Sequence, residues 1–70
     1  MTAPELRAAL KSLGLSQRSL AERLGVQIST VNRWALSKAP VPKYAVYVLS
    51  LLAERQELEA AALVMLRRHV

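Results

Sequence analysis

Cysteine is absent from this 70-residue chain, so neither a disulfide nor a thiolate-bound metal can staple its fold. Aspartate is absent too, and the one histidine, His69, is next to last. A Ser-His-Asp arrangement is therefore excluded. A zinc site would have to combine a single imidazole with five scattered glutamates. The two glycines, Gly14 and Gly25, are too few for a phosphate-cradling loop. Long hydrophobic runs are missing: Ala45–Ala53 is interrupted by Ser50 and falls short of the ~20 residues a membrane span needs. Residues 1–10 carry Glu5 and Arg7 where a secretory leader would be apolar. These absences lead to the expectation of a soluble, cytoplasmic protein that is not an enzyme, with no catalytic residue, no metal and no cofactor.

What is present suffices for one core. Apolar residues make up 53% of the chain and charged residues 21%, a balance that argues against disorder. A chain of this size buries only about 60% of its unfolded surface, so one marginally stable domain over residues 1–70 is expected, with oligomerisation as the remaining staple.

The net charge of +5 is unevenly placed. Residues 1–43 hold seven Lys and Arg against two Glu, whereas residues 44–70 hold three of each sign. A basic half beside a neutral half fits a polyanion-binding unit joined to a packing or assembly unit. The plainer alternative is a solvated basic surface.

The pattern is helical throughout. Thr2 caps a first helix, with Pro4 in its first turn and Glu5 three residues after the cap. Leu6, Ala9, Leu10 and Leu13 form its apolar face, and Gly14 ends it. Ser16 caps a second helix with Leu20, Ala21 and Leu24 inward and Gly25 at its end. A third opens at Gln27 or Ile28 and runs to about Ala35, with Val31 and Trp34 inward and Ser29, Asn32 and Arg33 outward. Pro40 and Pro42 interrupt the next loop. From Pro42 to Val70 no Gly or Pro occurs, which allows one long helix or two with a bend near residues 53–57. Tyr44, Val48, Leu51, Arg55, Leu58, Ala62 and Met65 approximate a heptad seam, widened by Leu49, Leu52 and Leu66. That seam either folds back into the core as a fourth and fifth helix or pairs with a second copy.

Residues 16–35 carry the function. Two short helices meet at a tight turn, with Ala21 small enough for a close crossing and Gly25 suited to positive φ. Leu20, Leu24, Val26, Val31 and Trp34 fill the inner faces, while Ser29, Asn32 and Arg33, with Gln27 at the helix start, are polar and able to reach base edges. The spacing of Gln17, Leu20-Ala21, Leu24-Gly25-Val26, Ser29-Thr30-Val31 and Arg33-Trp34, followed by Lys38 and a proline-bearing loop, resembles the helix-turn-helix of repressor/Cro-type transcriptional regulators. The resemblance covers roughly residues 5–52 and implies an all-α, compact four- or five-helix domain; the C-terminal segment 53–70 lies beyond it, and its apolar seam makes it available for packing or dimerisation. Regulators this short in the family occur in phages and other mobile elements, and some control anti-CRISPR operons. The resemblance thus implies the cytoplasm of a bacterial or phage-infected cell.

The same resemblance implies roles. Gln17 matches a phosphate-anchoring glutamine, and Lys38 and Lys43 match positions that touch the sugar-phosphate backbone. Gln27, Ile28, Ser29, Asn32 and Arg33 occupy recognition-helix positions that reach into the major groove. Each has a plainer alternative. Arg33 reads guanine O6 and N7 or contacts a phosphate, and Asn32 reads adenine or is a polar helix residue. Gln27 reads a base or only caps the helix, and Ser29 allows close approach or caps the first turn. Ile28 meets a thymine methyl or joins the core, and its periodicity favours the core. Arg18 needs only to place charge near the DNA backbone. Tyr44 either donates its hydroxyl to a phosphate or packs on the seam, and its seam position favours packing. Trp34 belongs to the core, and Arg7, Lys11 and Arg23 are read as solvated charges. After Trp34 this chain has Ala35-Leu36-Ser37 where relatives commonly have an acidic residue and then a Gly, which leaves the end of the third helix open.

The expected protein is a homodimeric, autoregulating repressor of a palindromic operator, its dimer built by Leu51, Leu58, Ala62, Met65 and Leu66, with no small-molecule ligand. The alternative is a protein-interaction module such as an antitoxin, in which the basic face is incidental.

Overall fold

A computed structural model describes residues 1–68, with side chains described through Arg67; His69 and Val70 lie outside them. Helix α1 spans Ala3–Leu13. Thr2 and Glu5 form a reciprocal capping box: the Glu5 N–H donates to Thr2 Oγ1 at 3.2 Å and the Thr2 N–H donates to Glu5 Oε1 at 3.0 Å. Helix α2 spans Gln17–Leu24, and its cap Ser16 accepts from the Ser19 N–H at 3.0 Å. Both helices end in the same way. Gly14 (φ 67°) and Gly25 (φ 70°) take the left-handed conformation, and the following residue reaches back, Leu15 N–H to Leu10 O at 2.9 Å and Val26 N–H to Ala21 O at 3.0 Å. A side chain at either position would be strained by the backbone alone.

The capping box holds the Glu5 carboxyl below its ordinary range, chiefly through the Thr2 backbone N–H and then through the Thr2 side chain. A carboxylate favoured in this way stabilises the fold above its unfolded pKa and loses that contribution as pH falls through the lower folded value. The thermal midpoint should therefore fall as acid takes the chain below the usual carboxylate range. The part of that fall due to the cap should be missing in Glu5→Gln when the two proteins are melted in parallel from pH 7 to pH 3.

Helix α3 spans Ile28–Ala35 and α4 spans Lys43–Arg68. The core contains Leu6 and Leu10 of α1, Leu20 and Ala21 of α2, Val31, Trp34 and Ala35 of α3, and Ala45 and Leu49 of α4. Leu13, Leu15, Leu24, Val26, Ile28, Ala39 and Val41 close around it. Two alternatives left open by the sequence are decided here. Residues 43–68 form one uninterrupted helix, and no part of them folds back as a fifth. The run lacks Gly and Pro and is rich in Ala, Leu, Glu and Arg, so nothing in it makes a turn. The heptad seam is also displaced. Ala45 and Leu49 face the core with Val48 and Leu52 half-buried, whereas Tyr44 and Leu51 remain 50% and 47% exposed. Apolar residues occur on several sides of α4, so more than one stripe satisfies a helical period. Ala45 is fully buried in the core.

Every residue from 53 to 67 is exposed. A 26-residue helix is about 39 Å long, which accounts for most of the molecule's longest dimension of 49 Å.

Candidate nucleic-acid interface

The α2–α3 pair is built by the turn at Gly25, with Ala21 buried and Leu20 and Val31 fully enclosed. That packing fixes which side of α3 faces out. Gln27, Ser29 and Arg33 are exposed, and Ser29 and Arg33 stand four residues apart, on one line of the helix. Asn32 is half-buried beside them, and Ile28 is half-buried against the core. Among the described residues, none of the side chains of Gln27, Ser29, Asn32 and Arg33 is held by an intramolecular hydrogen bond. Gln27 occupies the N-cap position by its backbone, while its side chain makes no capping bond.

Gln17, the first residue of α2, is half-buried, and Arg18 is exposed next to it. Lys38 and Lys43 are exposed in the loop and at the start of α4. The first turns of α2, α3 and α4 contain no acidic residue, so the partial positive charge of their N–H groups is left unneutralised; α1 alone has a glutamate there. From Ser16 to Lys43 five Lys and Arg stand against Glu22 alone. Tyr44 is not packed into the seam. Its ring meets Trp34 edge-on, with centroids 6.2 Å apart and planes at 74°, and the residue is half exposed.

The end of α3 is the point at which the sequence left the motif, and the backbone shows how it closes. Ser37 adopts φ 61°, the left-handed conformation that Gly14 and Gly25 adopt at the ends of α1 and α2. Lys38 N–H reaches Arg33 O at 2.9 Å and Ser37 N–H reaches Trp34 O at 3.3 Å, so the terminal carbonyls are satisfied in the same pattern. The helix stop survives without glycine, and Lys38 is launched from it.

Arg7 departs from its expected role as a solvated charge. Its guanidinium donates to the main-chain carbonyl of Ala35, tying α1 to the C-terminal end of α3. The cation also sits where the dipole of α3 favours it. Nothing in the local sequence around Arg7 signals this contact, because its acceptor is a backbone oxygen 28 residues away.

Two packed helices joined by a glycine turn, with an outward polar helix and cations on either side of it, define a helix-turn-helix built to face a polyanion. The family model described as helix-turn-helix matches residues 6–42, more than half of the chain. The chain belongs to the repressor/Cro-type helix-turn-helix family of DNA-binding transcriptional regulators. Comparison with curated proteins and with solved structures returns no match. Among the described residues, no helix is long and apolar enough to cross a membrane.

The proposed dimer residues Leu51, Leu58, Met65 and Leu66 are 47–65% exposed, and Ala62 is exposed with them. Leu51 lies beside the core, and the other four lie on the projecting turns of α4.

Proposed function

We propose that this chain is a cytoplasmic transcriptional repressor that binds a near-palindromic operator as a homodimer and limits its own synthesis. The observation that carries this reading is the outer face of α3, where Arg33, Ser29 and Gln27 stand exposed, unengaged and flanked by cations. Arg33 reads a guanine through O6 and N7, and Asn32 reads an adenine through N6 and N7. Gln27 adds a third polar reader, Ser29 lets the helix approach closely, and the exposed part of Ile28 meets a thymine methyl. Gln17, Arg18, Lys38, Lys43 and the Tyr44 hydroxyl hold the phosphates and set the register. In a two-fold dimer, two copies of α3 about 34 Å apart enter successive major grooves. Occupancy then follows protein concentration rather than a small-molecule signal.

The test is selection from a random duplex library in moderate salt, followed by sequencing of the bound DNA. A palindromic motif is the expected result. Weak binding that enriches no motif and vanishes with added salt would leave only phosphate attraction, and the exposed end of α4 would then be the functional surface of an interaction module.

A further inference from the structure

The projecting part of α4 has no partner within the chain, and its composition says what covers it. Residues 60–66 are seven consecutive apolar residues, and Leu58, Leu63, Val64, Met65 and Leu66 expose about half to two thirds of their surface. The apolar residues run around the helix rather than along one stripe. Such a helix requires cover on more than one side.

Charge along the same stretch is polar in the sense of direction. Glu54, Glu57 and Glu59 precede the apolar run and Arg67 follows it. Arg55 pairs within its own helix with Glu59 at 3.1 Å, which leaves Glu54 and Glu57 facing outward without it. Beside this acidic stretch, α1 and α4 form a groove of about 420 Å³ lined by the apolar Ala9, Leu13, Leu49, Ala53 and Ala60 and by the polar Ser12, Gln56 and Glu57.

We propose that the projecting turns of α4 pair antiparallel with those of a second copy, so that the Leu63–Leu66 end of each α4 seats in the α1–α4 groove of the other. This rests on the homodimer reading and specifies its interface. A second copy is the occupant because the two halves of the surface complement each other under a two-fold axis. The acidic stretch 54–59 of each chain then lies opposite the other chain's Arg67, twice in the dimer. Parallel pairing would align glutamates with glutamates and Arg67 with Arg67. It would also hold both apolar ends away from both grooves. The small side chains Ala9, Ala53 and Ala60 give the incoming helix room for close contact, and the antiparallel arrangement covers the apolar run on two sides.

The chain has no cysteine, so disulfide trapping in the 70-residue chain reads the arrangement directly. Gln56→Cys and Leu66→Cys variants, both at exposed positions, are mixed in equal amounts and oxidised. A predominantly mixed Q56C–L66C product with the mass of a dimer is the expected result. Like-with-like products, or a species that remains monomeric by light scattering, would overturn the proposal. As a second reading, Glu57→Arg should weaken the dimer by roughly two- to thirtyfold, the worth of two exposed ion pairs, and adding Arg67→Glu to it should restore most of the loss. A double variant as weak as the single one would also count against antiparallel pairing. Neither readout uses DNA. A recovered palindrome with like-with-like crosslinks would overturn the antiparallel interface and leave the operator reading standing. The mixed crosslink with no enriched motif would do the reverse.

Discussion

Leu20→Ala should destabilise this protein by about 2–5 kcal/mol, far more than truncation of an exposed leucine. Leu20 of α2 is fully buried in a core shared with α1, α3 and α4, and its truncation leaves a cavity in close-packed surroundings. Leu→Ala changes at such sites cost about 2–5 kcal/mol. A chain of 70 residues has roughly 3.5–10 kcal/mol of stability in all, at about 0.05–0.15 kcal/mol per residue. One truncation therefore removes between a fifth and the whole of it. The control is Leu36→Ala, where the leucine is 63% exposed and the expected change is within about 0.5 kcal/mol. Urea titrations followed by circular dichroism, at one fixed protein concentration, measure both. A Leu20→Ala protein with a midpoint near that of the parent would show that the core described here is not the one that holds the fold.

Arg33→Ala is expected to leave the fold intact and to change which DNA is bound. Its side chain is exposed on the outer face of α3 and makes no internal hydrogen bond, so folding loses almost nothing. A bidentate contact to guanine discriminates by about 1–3 kcal/mol, or roughly 5–150-fold, at each half-site. Repeating the selection with Arg33→Ala should flatten one symmetrical position of the motif and leave the others. Lys38→Ala provides the contrast. A phosphate contact weakens all sequences alike and lowers the dependence of binding on salt by about one unit of slope. If Arg33→Ala behaves like Lys38→Ala, with uniform weakening and an unchanged motif, then Arg33 is a phosphate contact and the reading of bases falls to Asn32, Gln27 and Ser29.

Much of this protein was legible along the chain because its determinants are local. The Thr2–Glu5 box, the Ser16 cap and the terminating Gly14 and Gly25 act within one helical turn, and each is found where the sequence implies it. The apolar periodicity of α1 to α3 also marked their inner faces, since short amphipathic helices offer one stripe each. That is why the helix-turn-helix and the outward side of α3 are legible in the sequence.

The matters that required the tertiary structure depend on partners far away in sequence or on a choice between equivalent stripes. Helix α4 carries apolar residues on several sides, and packing against α1 selected Ala45 and Leu49 over Tyr44 and Leu51. Ser37 was able to replace a glycine because the bonds from Ser37 and Lys38 to the end of α3 hold its positive φ. Arg7 gained a place because folding brought it to the carbonyl of Ala35. Capping and periodicity, which act over a few residues, set the helices, their ends and the polar face of α3. The phase of α4, the anchoring of α3 and the bare projecting helix were decided only in three dimensions, where close packing admits one arrangement out of several that the helical period allows equally.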